Sequence, residues 1–431
     1  MPLESCVSFG YPEQVKSEQT QILPAVVFWT LLAAVVGVFG GAASAGFLWL
    51  LNWATEMRES HLWLIALLPL AGLFIGIVFH TIGKSIERGN NLLIDEIHDP
   101  RAQIPFRMAP LILFSTVVTH LFGGSAGREG TAVQMSGAIA DQFSFLNRVL
   151  PSADPTRNRR ILLMAGMSAG FGSIFGTPIA GAIFGLEVLN IGRMDYEAIL
   201  PCFVGSIVGD YVTETLGAMI GVHHSPMASL VPDVTVGPVS LNALALCAVA
   251  GIIFGLVGMV FSSASHAMNA LFKRAVQHAP LRPFVGGIIV ALMVYASGST
   301  RYIGLGVPVI MESFQHPVLP WDFAGKIIFT VLTLGAGFKG GEVTPLFYIG
   351  STLGNALSLI LPLPLPLLAA VGFVGVFAGA ANTPLTCILM ASELFGSQVM
   401  IFAAVACVAS YLFSGHAGIY HAQRVAFRKH G

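Results

Sequence analysis

Gly127-Arg128-Glu129-Gly130-Thr131 and Gly340-Gly341-Glu342-Val343-Thr344 are two versions of one stretch. In each, glycines lead into an apolar run that carries an acid at its start. Glycine lets the backbone turn sharply and approach a bound ion closely. An ionisable residue so placed in a lipid-suited chain marks a functional site, because such groups are costly in the membrane and are kept where they serve transport. Two helix starts meeting near mid-bilayer would aim free N–H groups and positive dipole ends at one anion. The pair therefore predicts an anion-transport site built from both halves of the chain.

The composition around this pair is that of a polytopic membrane protein. Hydrophobic residues fill 55% of the 431 positions and charged residues only 10%, with a mean hydropathy of +0.78. A soluble globular chain carries about 25% charged residues. The net charge of −1 supplies no cation excess for a nucleic-acid partner. Cys6, Cys202, Cys247, Cys387 and Cys407 are scattered, without C-x-x-C or Cys/His ligand spacing, and read as small core hydrophobes. No metal or cofactor is expected. Residues 1–20 carry Glu4, Glu13, Lys16 and Glu18, so no secretory signal comes first.

The apolar run from about 22 to 54 exceeds the roughly 20 residues that one span needs. With Gly37, Gly40, Gly41 and Gly46 it is one long tilted helix or two helices packed through small residues. Further spans are expected at 62–83, 107–122, 196–217, 239–265 and 284–298, with a polar or turn-rich excursion after the fourth of these six. Gly89-Asn90-Asn91 followed by Asp95 and Glu96 predicts a short helix with a polar N-cap. A polar connection at 146–160, with Arg148, Arg157, Arg159 and Arg160, marks a membrane surface.

The second half replays the first. Glu129, Thr131 and Gly137 pair with Glu342, Thr344 and Gly350; Gly166, Phe171, Thr177-Pro178 and Glu187 pair with Gly372, Phe377, Thr383-Pro384 and Glu393. Internal repeats of this kind enclose a site at their interface. Inversion is favoured, because the two helix starts must reach one depth from opposite sides. Glu187 and Glu393 end their helices near a surface and are assigned structural roles. His120 and His416 are taken as packing residues. The sequence shows no H-E-x-x-H, no G-x-S-x-G, no protease-type aspartate pair and no phosphate-cradling loop, which argues against an intramembrane enzyme.

Taken together, G-R-E-G at 127–130, G-T-P at 176–178, N-T-P at 382–384 and Ile419-Tyr420 resemble the CLC anion channel and transporter family. The resemblance implies an all-α polytopic membrane protein, a CLC-like inverted repeat of tilted and half-spanning helices. It implies a homodimer with one pore per subunit and both termini in the cytoplasm. On this frame, residues 1–20 are a cytoplasmic segment, 21–230 and 231–416 the two repeat halves, and 417–431 a short C-terminal helix or tail without a regulatory domain.

Departures from the chloride-type pattern narrow the expectation. Gly89-Asn90-Asn91 stands where chloride members carry G-S-G-I-P, Gly341-Glu342-Val343-Thr344-Pro345 replaces G-x-F-x-P, and Thr131 replaces the proline after G-R-E-G. The inner proton-relay glutamate of chloride exchangers falls at Val188, beside Glu187. These features are similar to the fluoride-exporting branch, which implies a proton-coupled fluoride antiporter in the bacterial inner membrane. The alternatives within the family are a chloride/proton exchanger and a passive anion channel.

Fluoride is the halide hardest to dehydrate, so a dry site must return strong hydrogen bonds to it. Asn90, Thr344 and Tyr420 are assigned to anion binding through their side chains. Backbone groups of Gly127, Arg128, Gly130, Thr131 and Val343 supply the helix starts. Glu129 is assigned the gate, since its carboxylate is an anion able to take the halide's place, and Glu342 the second, proton-handling acid. Met135 and Tyr348 are left as packing residues. Whether Asn90 or Asn91 faces the ion stays open. The competing roles are helix caps for Asn90 and Thr344, an interfacial belt for Tyr420, and ion pairs with Arg128 or Lys339 for the acids.

Overall fold

The computed structural model describes residues 12–148, 154–221, 234 and 237–429. Cys6, residues 149–153 of the polar connection and most of the expected excursion after residue 217 lie outside the described residues. In the first half the chain runs through α1 (Pro12–Ser60), a 3-10 turn (Leu62–Leu67), α2 (Leu68–Thr81), α3 (Asn90–His98), α4 (Met108–Leu121), α5 (Glu129–Gln142), α6 (Pro155–Phe175), α7 (Pro178–Glu187) and α8 (Ile199–Met219). The second half follows with α9 (Leu241–Ala275), α10 (Leu281–Ser297), α11 (Val307–Gln315), α12 (Asp322–Gly335), α13 (Val343–Leu357), α14 (Leu365–Ala381), α15 (Pro384–Phe395) and α16 (Ser397–Phe413).

The apolar run after residue 22 is one continuous helix, with Pro24 inside it. Among the described residues, four helical stretches are long and apolar enough to cross a membrane: Ile22–Ser60, Leu62–Thr81, Tyr196–Met219 and Leu241–Ala275. Several others are shorter than a span. The 14-residue α5 reaches only about 21 Å at 1.5 Å per residue. Short helices that start inside the protein leave their first N–H groups unpaired by the helix itself, and these are the ends that face the site.

The two halves pack in the same way because paired small residues let paired helices touch. A Cβ at Gly166 of α6 would lie 3.2 Å from the Cα of Gly137 on α5, and a Cβ at Gly372 of α14 would lie 2.2 Å from the carbonyl oxygen of Gly350 on α13. Both contacts require glycine at positions that the repeat pairs. α6 and α14 are buried along nearly their whole length. Between them Phe171 and Phe377, another repeat pair, lie with ring centroids 6.1 Å apart and nearly parallel. Stacks of Phe171 on Phe184 at 4.1 Å and Phe347 on Phe373 at 3.9 Å extend this aromatic core.

The arginines of the expected surface connection fasten elements to one another. Arg159 binds Asp141 at the end of α5 (2.7 Å) and Glu96 of α3 (2.9 Å). α3 is therefore clamped to the far end of the helix that carries Glu129. Among the described residues the only paired strands are β1 (Asn190–Ile191) and β2 (Arg424–Val425), which run parallel. Residues 417–429 form an irregular strap and contain no helix. Of the expected alternatives, helix or tail, the described residues show no helix.

Candidate anion site

The two quoted stretches meet. The N–H of Gly127 donates to the carbonyl of Gly341 at 2.7 Å, and the N–H of Gly341 returns a bond to the carbonyl of Gly127 at 2.8 Å. This antiparallel bridge joins the entrances of α5 and α13. It brings two positive helix ends together from opposite directions, as inverted repeats require.

Glu129 lies in the cleft so formed and is only 1% exposed. Its Oε1 accepts the N–H of Val343 at 2.5 Å. Its Oε2 accepts the Thr344 hydroxyl at 2.7 Å and the N–H of Arg128 at 3.0 Å. An acid from one repeat is thereby held by the helix start of the other. Hydrogen bonds to a charged group contribute about 1.5–3 kcal/mol each, so these three are comparable with the several kcal/mol that burial of the charge costs.

The glycines make the space. A Cβ on Gly341 would sit 2.2 Å from Oε1 of Glu129, one on Gly127 would sit 2.5 Å from the same atom, and one on Gly130 would sit 3.1 Å from Nδ2 of Asn90. The Asn90 amide therefore packs against the start of α5. Its Oδ1 is buried and unpartnered among the described residues. The cap of α3 is Gly89 at φ 57°, with no side-chain cap bond. This corrects the expected polar cap: Asn90 is the first helical residue, and its amide points to the site. Asn91 turns elsewhere, its Oδ1 accepting the N–H of Ala422 at 3.0 Å. Both asparagines line the cavity, and Asn90 is the one whose amide packs against the start of α5.

Other assigned residues take different places. The Thr131 hydroxyl is paired with that of Thr116 on α4 at 2.7 Å, so Thr131 braces α5 against α4 through its side chain. The guanidinium of Arg128 packs over the Phe175 ring, 5.8 Å from its centroid, while its backbone N–H serves Glu129. Met135 and Tyr348 are buried, as packing residues are. His120 is buried with Nε2 3.4 Å from the carbonyl of Gly127, behind the bridge. His416 accepts the N–H of Lys429 through Nε2.

A cavity of about 590 Å³ leads from the surface to Asn90, Glu342 and Tyr420. Glu342 is the N-cap residue of α13 and is half-buried. No hydrogen bond holds its carboxylate among the described residues. Lys84, Lys273, Arg282 and Lys339 also line the cavity, against Glu87 and Glu342 as its acids. Such a wall raises the local concentration of anions. Lys339 lies over the Phe79 ring at 4.2 Å and forms no ion pair with Glu342 among the described residues. Sequence reasoning named Lys339 but missed Lys84, Lys273, Arg282 and Gln134, the last lining the same cavity one turn and a half beyond Glu129; only the fold gathers them.

Glu187 and Glu393 hold each other's helices. Glu187 at the end of α7 accepts the N–H groups of Leu385 and Thr386 (2.9 and 2.8 Å) and the Thr386 hydroxyl (2.7 Å) at the start of α15. Glu393 near the end of α15 accepts the N–H groups of Ile179 and Ala180 at the start of α7, both at 2.8 Å. Their structural assignment holds, and its form is a reciprocal cap.

The family model described as "Voltage gated chloride channel" matches residues 71–415. The chain belongs to this CLC family. Among its relatives is a "Chloride/fluoride channel protein" of Pseudomonas syringae pv. tomato, 54% identical over 422 residues, which span 96% of this chain and 90% of the relative. An "H(+)/Cl(-) exchange transporter" of Vibrio vulnificus is 26% identical, over 86% of this chain and 82% of its own length. A crystal structure of "a CLC-type fluoride/proton antiporter" superposes with a TM-score of 0.85 at 34% identity, covering 93% of this chain and 98% of that one. A slow cyanobacterial Cl-/H+ antiporter shares the fold with a TM-score of 0.77 at 19% identity. The bridged helix starts thus sit within a CLC fold.

Proposed function

We propose that this CLC protein is a proton-coupled antiporter that exports fluoride from the bacterial cytoplasm across the inner membrane in exchange for protons. The observation that carries the reading is the Glu129 carboxylate in a cradle made by both helix starts. Its oxygens mark where an anion is held: Val343 and Arg128 offer N–H groups, Thr344 a hydroxyl, and Gly127, Gly130 and Gly341 the room. Carboxylate and halide cannot fill that cradle together. Protonation removes the charge that makes Glu129 a competitor, so each anion that takes the cradle is linked to a proton on Glu129.

Asn90 and Tyr420 line the cavity, Asn90 packing against the start of α5 beside the cradle, and would add donors suited to a small, strongly hydrated anion. The cavity is the cytoplasmic vestibule, with its lysines drawing anions in and Glu342 exchanging protons with its water. The names of the relatives in Pseudomonas syringae and among solved structures support fluoride as substrate. A homodimer fits the exposed apolar residues Ile179, Ile199, Ile207 and Leu385 on adjoining helices α7, α8 and α15. No enzymatic step is assigned.

The test is purified protein in liposomes loaded with fluoride or chloride, followed by ion-selective and pH electrodes. Fluoride leaving in fixed ratio to entering protons is the expected result. Chloride leaving faster would instead make the protein a chloride exchanger, and fluoride current without proton movement would make it a channel.

A further inference from the structure

Tyr420 sits in the strap, and how its ring is aimed into the site depends on what fastens the strap on either side. Upstream, the N–H of Ile419 donates to the carbonyl of Ala380 at 2.8 Å, and Nε2 of His266 lies 2.8 Å from the carbonyl oxygen of Gly418. Downstream, Ala422 is held by Asn91 and β2 pairs with β1, and between them one side chain gathers three bonds. Nε2 of Gln423 donates to the carbonyl of Val188 at 2.9 Å and to that of Ala381 at 2.8 Å, and its Oε1 accepts Nδ2 of Asn382 at 3.1 Å. The N–H of Gln423 donates to the carbonyl of Tyr420 itself at 3.3 Å.

Each bond has a reason in the chain. Val188 follows the end of α7, and Ala381 ends α14, so both carbonyls belong to last turns that lack intrahelical donors. Asn382 stands in the left-handed conformation, φ 59°, that closes α14. A single amide with two donors and one acceptor meets all three groups at once. α7 belongs to the first repeat and α14 to the second, so Gln423 ties the strap to both halves at the level of the site.

We propose that Gln423 is a positioning residue for the Tyr420 hydroxyl and thereby sets the affinity of the site for its anion. The proposal rests on the reading of Tyr420 as an anion ligand. With Gln423 fixed, the Tyr420 carbonyl is held and the buried ring is pinned against Phe184, at 6.4 Å and edge-on. Without its amide the strap keeps the Ile419–Ala380 bond and its backbone pairing beyond α7 but loses the three bonds to Val188, Ala381 and Asn382, and the phenol is held less firmly.

The test is a double-mutant cycle on reconstituted protein, with fluoride efflux measured against internal fluoride to give KM and maximal rate. Tyr420→Phe is expected to raise the fluoride KM about tenfold, the scale of one hydrogen bond to a charged partner. Gln423→Met, which keeps the volume and removes both donors, is expected to raise KM roughly three- to tenfold while the proton-to-fluoride ratio stays at the wild-type value. In the Tyr420→Phe background, Gln423→Met should add nothing. A KM increase that multiplies in full in that background overturns the proposal, as does a loss of thermal stability and rate with KM unmoved. A Tyr420→Phe protein with wild-type KM overturns the reading of Tyr420 itself, and the proposal with it. Should Gln423→Met not fold, Gln423→Glu, which keeps the bond from Asn382 and loses both donors, runs the same cycle with the same expected and contrary outcomes.

Discussion

Two pairs of repeat-related acids lie in this molecule, and they have been put to opposite use. Glu187 and Glu393 remain equivalent: each caps the first turn of the helix that the other ends. Glu129 and Glu342 do not. The Glu129 carboxylate is locked in the cradle by three donors, while Glu342 caps nothing with its side chain and faces the vestibule. A helix start rewards a nearby carboxylate; where both starts are served in the same way, the result is a symmetric scaffold. Where one cradle has room for one carboxylate, symmetry must break. In the proposed mechanism that breakage gives the transport path a direction, with Glu129 as gate at the cradle and Glu342 as the proton-handling acid on the water side.

The comparison can be broken most severely at the gate. Glu129→Gln is expected to abolish proton uptake while fluoride still crosses, as read by pH and fluoride electrodes on the same liposomes; a wild-type proton ratio would return Glu129 to a structural role. Next, Glu342→Gln should slow coupled proton uptake on the order of a hundredfold, the scale of losing one positioned acid–base group, with fluoride affinity held. If Glu342→Gln instead matches Glu129→Gln in every respect, the two acids are equivalent after all.

Smaller effects sharpen the picture. Thr344→Ala should weaken fluoride binding about tenfold, one hydrogen bond to a charged group, and Thr344→Ser should restore it in titration calorimetry. Glu187→Gln and Glu393→Gln should each cost about 1–2 kcal/mol of stability through weakened helix capping. Thermal unfolding in detergent should show two similar shifts, with the transport ratio unchanged. Unequal shifts would mean that this pair, too, has diverged.

The sequence carried the site better than its setting. The acids and Thr344 were legible because a gapless repeat places them at matching helix starts, and the need for two helix starts at one depth favoured inversion. The bridge between Gly127 and Gly341 was not, since glycine announces freedom and not the partner its backbone meets. Asn90 and Asn91 are neighbours of one type, and only the fold shows which amide packs against α5. Glu187 and Glu393 looked like acids at a surface because each ends its own helix; the helix that each one caps lies some two hundred residues away in the chain. Thr131 was assigned through its backbone, and the use of its hydroxyl, paired with Thr116 on α4, was not legible in the sequence.

Competition for a single seat is tested most directly by fluoride titration calorimetry on wild-type and Glu129→Gln protein across a pH series. Wild-type affinity should strengthen as pH falls and the carboxylate is neutralised, whereas the Glu129→Gln protein should bind more tightly at neutral pH and show little dependence on it. Equal affinities with the same pH dependence in both proteins would contradict the account.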